Sequence, residues 1–188
     1  MTFLKVIFAL LFFFLIAIIL VGILIYNKFI RLRVTIKSSW SDIDVLLKKR
    51  YDLIPNLVET VKGYATHERA VFEKVTEARA KAMQASTPAE KAQAENIFRE
   101  TLKSLFAVAE AYPDLKASVQ FSQLQTQLQQ IENEIEYARR YYNAVVRDYN
   151  TMRETVPSNI IANMFSFTKE EFFELSSEVE REVVQVKF

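Results

Sequence analysis

From Val6 to Tyr26 the chain runs for twenty-one residues without a charged side chain, dense in Phe, Leu and Ile. As a helix at 1.5 Å per residue such a run is about 31 Å long, the hydrocarbon thickness of a bilayer. A cleaved signal peptide fits poorly, because the run is too long and Tyr26-Asn27-Lys28-Phe29 offers no small-residue cleavage site. The segment is read as an uncleaved anchor whose partner is the lipid bilayer. One basic residue, Lys5, precedes it, whereas Lys28, Arg31, Arg33 and Lys37 follow. Positive charge favours the cytoplasmic side, so the N-terminus is expected outside and the rest in the cytoplasm. The alternative is an extracytoplasmic bundle.

Composition excludes several classes. The chain has no cysteine, which removes thiolate chemistry, disulfides and cysteine-ligated zinc. Gly22 and Gly63 are its only glycines, too few for phosphate-cradling loops or a turn-rich β fold. A net charge of +1 gives no one-sided basic surface, so nucleic acid is not an expected partner.

Beyond the anchor, apolar residues keep heptad time. Ile36, Trp40, Ile43, Leu47, Ile54, Leu57, Val61 and Tyr64 form one seam with Arg50 in a core slot. A longer seam runs Phe121, Leu124, Leu128, Ile131, Ile135, Ala138, Tyr142, Val145, Tyr149, Met152. Breaks are marked by Gly63 as a left-handed C-cap, Thr66 as an N-cap, Thr87-Pro88-Ala89-Glu90, Tyr112-Pro113 and Val156-Pro157. These predict helices near 28–62, 66–86, 88–111 and 114–155, with short amphipathic pieces after Pro157 and a capping box at Thr168–Glu171. One continuous helix over 28–86 is the rival, but it leaves the long last helix overshooting into solvent. Pro55 interrupts neither the seam nor its register, so it predicts a bend inside a helix. The reading is all-α: an N-terminal transmembrane helix (1–27), an antiparallel up-and-down four-helix bundle with long helices (28–156), and a short amphipathic C-terminal tail (157–188).

Catalytic constellations are hard to find. His67 and Glu68 form the one candidate dyad, and position 71 is Val where a zincin needs a second histidine. No serine lies in a G-x-S-x-G turn, and no metal or cofactor site is expected. Arg50 in its core slot must be paired or must snorkel to water. If buried, it meets Gln125, Gln129 or Glu132 of an antiparallel last helix. Arg139, Asn143 and Asn150 share one face of that helix, as a register-fixing polar stripe or a partner site.

Two surfaces are candidates for recognition. The turns after Val61 and around Pro113 should share the membrane-distal tip, which brings Tyr64, His67 and Glu68 near Glu110, Tyr112 and Asp114. Aromatic residues are favoured interface anchors, although the same groups serve equally as a structural clasp between turns. Low on the bundle, Trp40, Tyr142, Val145, Tyr149 and Met152 exceed what shorter helices cover, so a homo-oligomer is expected there. The phenylalanine-rich tail is expected to dock on the bundle or lie on the bilayer, its acidic residues favouring docking.

Tyr26-Asn27, WSDID at 40–44, RYDLIPNLV at 50–58, GYATHE at 63–68, AEAYPDL at 109–115 and ENEIEYARRYYNAVVRDYN at 132–150 together resemble the LemA family, in order and over nearly the whole chain. Val156 departs from the pattern, where relatives often carry an aromatic residue, and the chain beyond Phe173 matches loosely. The resemblance implies a bacterial single-pass protein of the cell (inner) membrane with an antiparallel helical bundle and no catalytic residues to carry over. Some relatives look like partners of HtpX-type membrane metalloproteases, and others resemble magnetosome-membrane components. The expected function is a non-enzymatic, oligomeric interaction or scaffold protein in membrane homeostasis. Its rivals are an adaptor regulating an HtpX-like protease and a hydrolase with an unrecognised carboxylate site.

Overall fold

The computed structural model describes residues Thr2 to Glu174, and among them all regular structure is helical. In order the elements are α1 (Thr2–Lys62), α2 (Arg69–Gln84), α3 (Pro88–Glu110), α4 (Pro113–Lys116), α5 (Val119–Glu154) and α6 (Ser158–Met164). The anchor and first bundle helix are one unbroken element of 61 residues. Its first stretch, residues 6–21, is apolar and exposed all round, as a helix solvated by lipid must be.

Packing divides the chain into two compact units, to both of which α1 and α5 contribute. Among the described residues the first comprises 2–40 with Tyr141–Glu170; the second comprises Ser41–Arg140 with 171–174. In the first, Phe29 and Ile36 of α1 are buried with Tyr142, Val145, Val146 and Tyr149 of α5 and with Phe167. The second is the four-helix bundle. It buries Ile43, Leu47, Ile54, Leu57 and Val61 of α1, Phe72 and Val75 of α2, Phe98, Leu102 and Leu105 of α3, and Phe121, Leu128 and Ile135 of α5.

The helix break after residue 62 is where Gly63 predicts it, but the mechanism differs. No glycine has positive φ. The last turn tightens instead, with the Tyr64 and Ala65 amides both donating to the Val61 carbonyl (3.1 and 2.9 Å). Nor does Thr66 cap the next helix. Helix α2 starts after Glu68, whose side chain makes no capping bond. Thr87 caps α3 as expected, and does so as a full capping box: its hydroxyl accepts from the Glu90 amide at 3.2 Å and Glu90 accepts from the Thr87 amide at 3.3 Å. The helix predicted over 114–155 is split at Ala117-Ser118, where the Ser118 hydroxyl accepts from the Phe121 amide at 3.5 Å. Beyond α6 the predicted capping box at Thr168–Glu171 does not form, and residues 167–174 have no regular structure. Glu170 is claimed by Asn150, as described below. The further amphipathic pieces expected after Glu174 lie outside the described residues.

Pro55 lies inside α1, as its unbroken seam requires. Without an amide hydrogen it leaves the Tyr51 carbonyl, four residues earlier, with no helical donor. Arg79 of α2 fills the gap, its Nε donating to that carbonyl at 2.7 Å. A helix-breaking residue is thereby turned into an interhelical bond. Arg79→Ala should cost about 1–3 kcal/mol, the usual penalty for a stranded buried carbonyl. In a Pro55→Ala background, where an amide returns, the same change should cost clearly less. Equal losses in the two backgrounds, read by denaturant unfolding, would refute the coupling.

Candidate functional site

Arg50 is buried, at 2% exposure, and its side chain is paired rather than snorkelled. One amino group of its guanidinium donates to Glu132 Oε1 of α5 at 2.7 Å. The other donates to Glu95 of α3, which also accepts from the Tyr51 hydroxyl. The guanidinium lies over the Phe98 ring at 5.0 Å. Arg50 thus ties α1 to α3 and α5 through charge-assisted bonds within one apolar core. Of the three partners that helix antiparallelism offered, Glu132 is chosen, and it keeps a third of its side chain exposed.

Two buried members escape a reading of α1 and α5 alone. Glu95 and Lys91 occupy the inward face of α3, in step with Ala92, Phe98, Leu102 and Leu105. Lys91 Nζ donates to the Ala82 carbonyl at 3.3 Å and lies 3.4 Å from Asp44 Oδ1. The signal was available. Tracing the apolar seam of α3 puts a carboxylate and an ammonium in core slots, as tracing α1 put Arg50 there. Tyr51 shares this centre, and burial pushes its hydroxyl up to about 12 despite the opposing charge of Arg50. Among the described residues the buried charged side chains are Arg50, Lys91 and Glu95, with Lys91 Nζ 6.0 Å over the Tyr51 ring.

The polar stripe on α5 divides by role. Arg139 is half-buried and lines an open groove of about 490 Å³ between α3 and α5, with Arg99, Lys103, Gln125, Gln129 and Glu132. Asn143 is half-buried and hydrogen-bonded or otherwise engaged. Asn150 is buried and holds the tail, its amide nitrogen donating to the Glu170 carbonyl (2.9 Å) while its oxygen accepts from the Glu170 amide (3.0 Å). Arg153 adds a bond from Nε to the Phe167 carbonyl at 2.9 Å. Phe167 stacks on Phe29 at 4.7 Å beneath the Arg33 guanidinium. At Phe167 and Glu170, then, the tail docks on protein.

That docking corrects the expected oligomer seam. Tyr142, Val145 and Tyr149 are buried within one chain, at 2%, 8% and 0% exposure. Tyr142 meets Trp40 (5.4 Å) and Tyr149 meets Phe29 (5.6 Å). Trp40 and Met152 are half-buried. Helix α1 and the returning tail supply the cover that counting only the shorter helices omits, so this seam is not free surface.

The expected tip residues all lie at helix ends. Tyr64 is 45% exposed, Tyr112 and Glu68 are half-buried, and His67, Glu110 and Asp114 are exposed. Among the described residues no side-chain hydrogen bond, ion pair or ring contact joins one turn to the other. Neither Glu68 nor Tyr112 caps its helix with its side chain. The clasp explanation therefore has no bond to rest on.

The Arg50 network makes a sharp stability test. Arg50→Met leaves the Glu95 carboxylate buried without its counter-charge and should cost about 3–5 kcal/mol in denaturant unfolding. Arg50→Met combined with Glu95→Leu should recover most of that loss. Additive losses in the double variant would show that the pair does not act as a unit.

A sequence model of the LemA family matches residues 39–188, about four-fifths of the chain. Protein LemA of Metamycoplasma hominis is 29% identical, over 82% of this chain and 71% of the relative. Magnetosome protein MamQ 1 of Paramagnetospirillum magneticum is 24% identical and Magnetosome protein MamQ of Magnetospirillum gryphiswaldense 23%, each over 79% of this chain. The chain spans 64% of the length of these magnetosome relatives, just under two thirds. Together with the lipid-length apolar helix, these likenesses identify a membrane-associated protein. The chain belongs to the LemA family.

Proposed function

We propose that this protein is a non-enzymatic, membrane-anchored interaction or scaffold protein acting in bacterial membrane homeostasis. One observation carries the reading. The buried charges of the bundle are consumed in holding helices together, whereas among the described residues the side chains of Tyr64, His67, Glu68, Glu110, Tyr112 and Asp114 make no hydrogen bond or ion pair, even though neighbours such as Lys62 and Arg69 are paired. A carboxylate intended as a general base needs access to substrate and a proton to take. Glu95 is buried and held by Arg50 and Tyr51, and Glu132 is held by Arg50, so the hydrolase alternative loses its two best-placed carboxylates. Tyr64, His67 and Glu68, with Glu110, Tyr112 and Asp114, are the proposed partner-binding surface. Assembly into a homo-oligomer belongs to this proposal, but not through the seam that the chain itself covers.

The membrane is proposed to be the bacterial inner membrane with the bundle on the cytoplasmic side, on the strength of the basic residues after the span. Single cysteines at Thr2 and Gln120 should then react oppositely with a membrane-impermeant maleimide on intact cells. Outside labelling of position 120 would reverse the orientation.

Crosslinking in native membranes followed by mass spectrometry tests the function itself. Capture should depend on the helix-end residues: His67→Ala and Tyr112→Ala should reduce it severalfold, with unfolding shifted by no more than about 0.5 kcal/mol at the exposed His67 and about 1 kcal/mol at the half-buried Tyr112. Recovery of a membrane metalloprotease would select the adaptor form of the reading, and self-capture the scaffold form. Unchanged capture by both variants, with stability lost, would overturn the proposed surface.

A further inference from the structure

The segment joining α5 to the docked tail has a second use. A methyl placed on Gly22 would stand 3.6 Å from Ile161 Cδ1 of α6, an ordinary contact distance. The Phe165 ring lies 4.7 Å from that of Tyr26. Gly22 and Tyr26 are the last turn of the uncharged run that ends at Tyr26. Helix α6 therefore lies beside α1 at the depth of the span's final turn. Four residues of helix amount to about 6 Å, within the 5–10 Å to which interfacial helices sink.

What the segment around α6 turns away from the protein is mainly apolar, with Asn163 the exposed polar residue of the helix. Ile160 is 59% exposed, Met164 67%, Phe165 52% and the preceding Val156 79%. No charged residue occurs between Glu154 and Lys169. In water such a patch would be anomalous for a segment of this length. The backbone is also prepared for lipid, where unbonded amides are costly. The amides of Asn159 and Ile160 donate to Thr155 and Pro157, and that of Phe165 to Ile161. The end of α6 is closed by a Schellman arrangement, Phe167 to Ala162 (2.9 Å) and Ser166 to Asn163 (3.3 Å), with Ser166 at φ 53° in the left-handed region.

We propose that Val156–Phe165 is a second membrane-contact element, a foot whose Val156, Ile160, Met164 and Phe165 side chains enter the acyl-headgroup boundary next to the span. The occupant of this face is lipid, because the face continues the span's own lipid-exposed surface at the same depth. Asn150, Arg153 and the Phe29–Phe167 stack hold the chain on the far side of the foot, so it is anchored from both ends. The membrane thus grips the protein at its N-terminal helix and again at the far end of α5.

The inference rests on the span itself being in the bilayer, and the test reports the two separately. Trp40 is the only tryptophan, so Trp40→Phe gives a silent background for single reporters. Full-length protein in phosphatidylcholine–phosphatidylglycerol vesicles is compared with and without brominated acyl chains. Ile16→Trp reads the span and Met164→Trp reads the foot. Both should be quenched, Met164→Trp most strongly by bromines near the headgroup, and the native Trp40 not at all. Quenching of Ile16→Trp with red-shifted, unquenched emission from Met164→Trp would overturn the foot while leaving the anchor intact. Blue-shifted emission from Met164→Trp that becomes quenchable only on dilution in lipid would give the face to a second copy of the chain and overturn the lipid assignment. Failure of Ile16→Trp to be quenched would overturn the anchor and the foot together.

Discussion

A guanidinium in an apolar core is tolerated only when its charge is met, and in the bundle that requirement fixes which residues face one another. Arg50 of α1 takes one carboxylate from α3 and another from α5, so both helices are held in register against the first. A slip of either helix by one turn would leave a charge buried without its partner, which costs several times more than a misplaced leucine. The neighbouring Tyr51 reinforces the same level twice, through its hydroxyl to Glu95 and through its carbonyl to Arg79 of α2. Leucine and alanine seams of this kind pack nearly as well in several registers. The polar centre selects one of them.

In the other unit the selecting residue is Asn150. Its side-chain amide presents one donor and one acceptor in the spacing of a peptide group, and Glu170 satisfies both with its own backbone. The bond ties Glu170 to α5, within the stretch Thr168–Glu171 where no helix forms despite a sequence suited to starting one. It also seats Phe167 against Phe29 and beneath Arg33, closing the apolar surface of α5 that would otherwise favour association. The contacts that hold this unit together are therefore also the ones that cover the aromatic face of α5.

Much of the fold was legible because helices advertise themselves by period. The α1 and α5 seams, the Thr87 capping box and the helical accommodation of Pro55 all follow from spacing and local chemistry. Arg50 was legible as a problem, a charge in a core slot, and antiparallel geometry narrowed its partner to three residues that included Glu132. Glu95 was equally legible in principle and is visible once the seam of α3 is written out. Gly63 marked the right place for the wrong reason. A glycine permits a left-handed cap without requiring one, and here a tightened last turn seating the buried Ala65 ends the helix instead.

The sequence alone determined the anchor, the helical class, the number of long helices and the positions of their breaks other than the one at Ala117-Ser118. Each of these depends on period, length or the conformational limits of one or two residues. Tertiary structure decided which polar groups meet, what covers the aromatic face of α5, and how deep α6 lies beside the span. Those outcomes rest on contacts between residues far apart in the chain: Arg50 with Glu95, Asn150 with Glu170, Gly22 with Ile161. A periodic pattern states that a face will be buried. It does not state against what, because any complementary face satisfies the hydrophobic effect equally, and only the specific pairing of charges and hydrogen bonds distinguishes one partner from another.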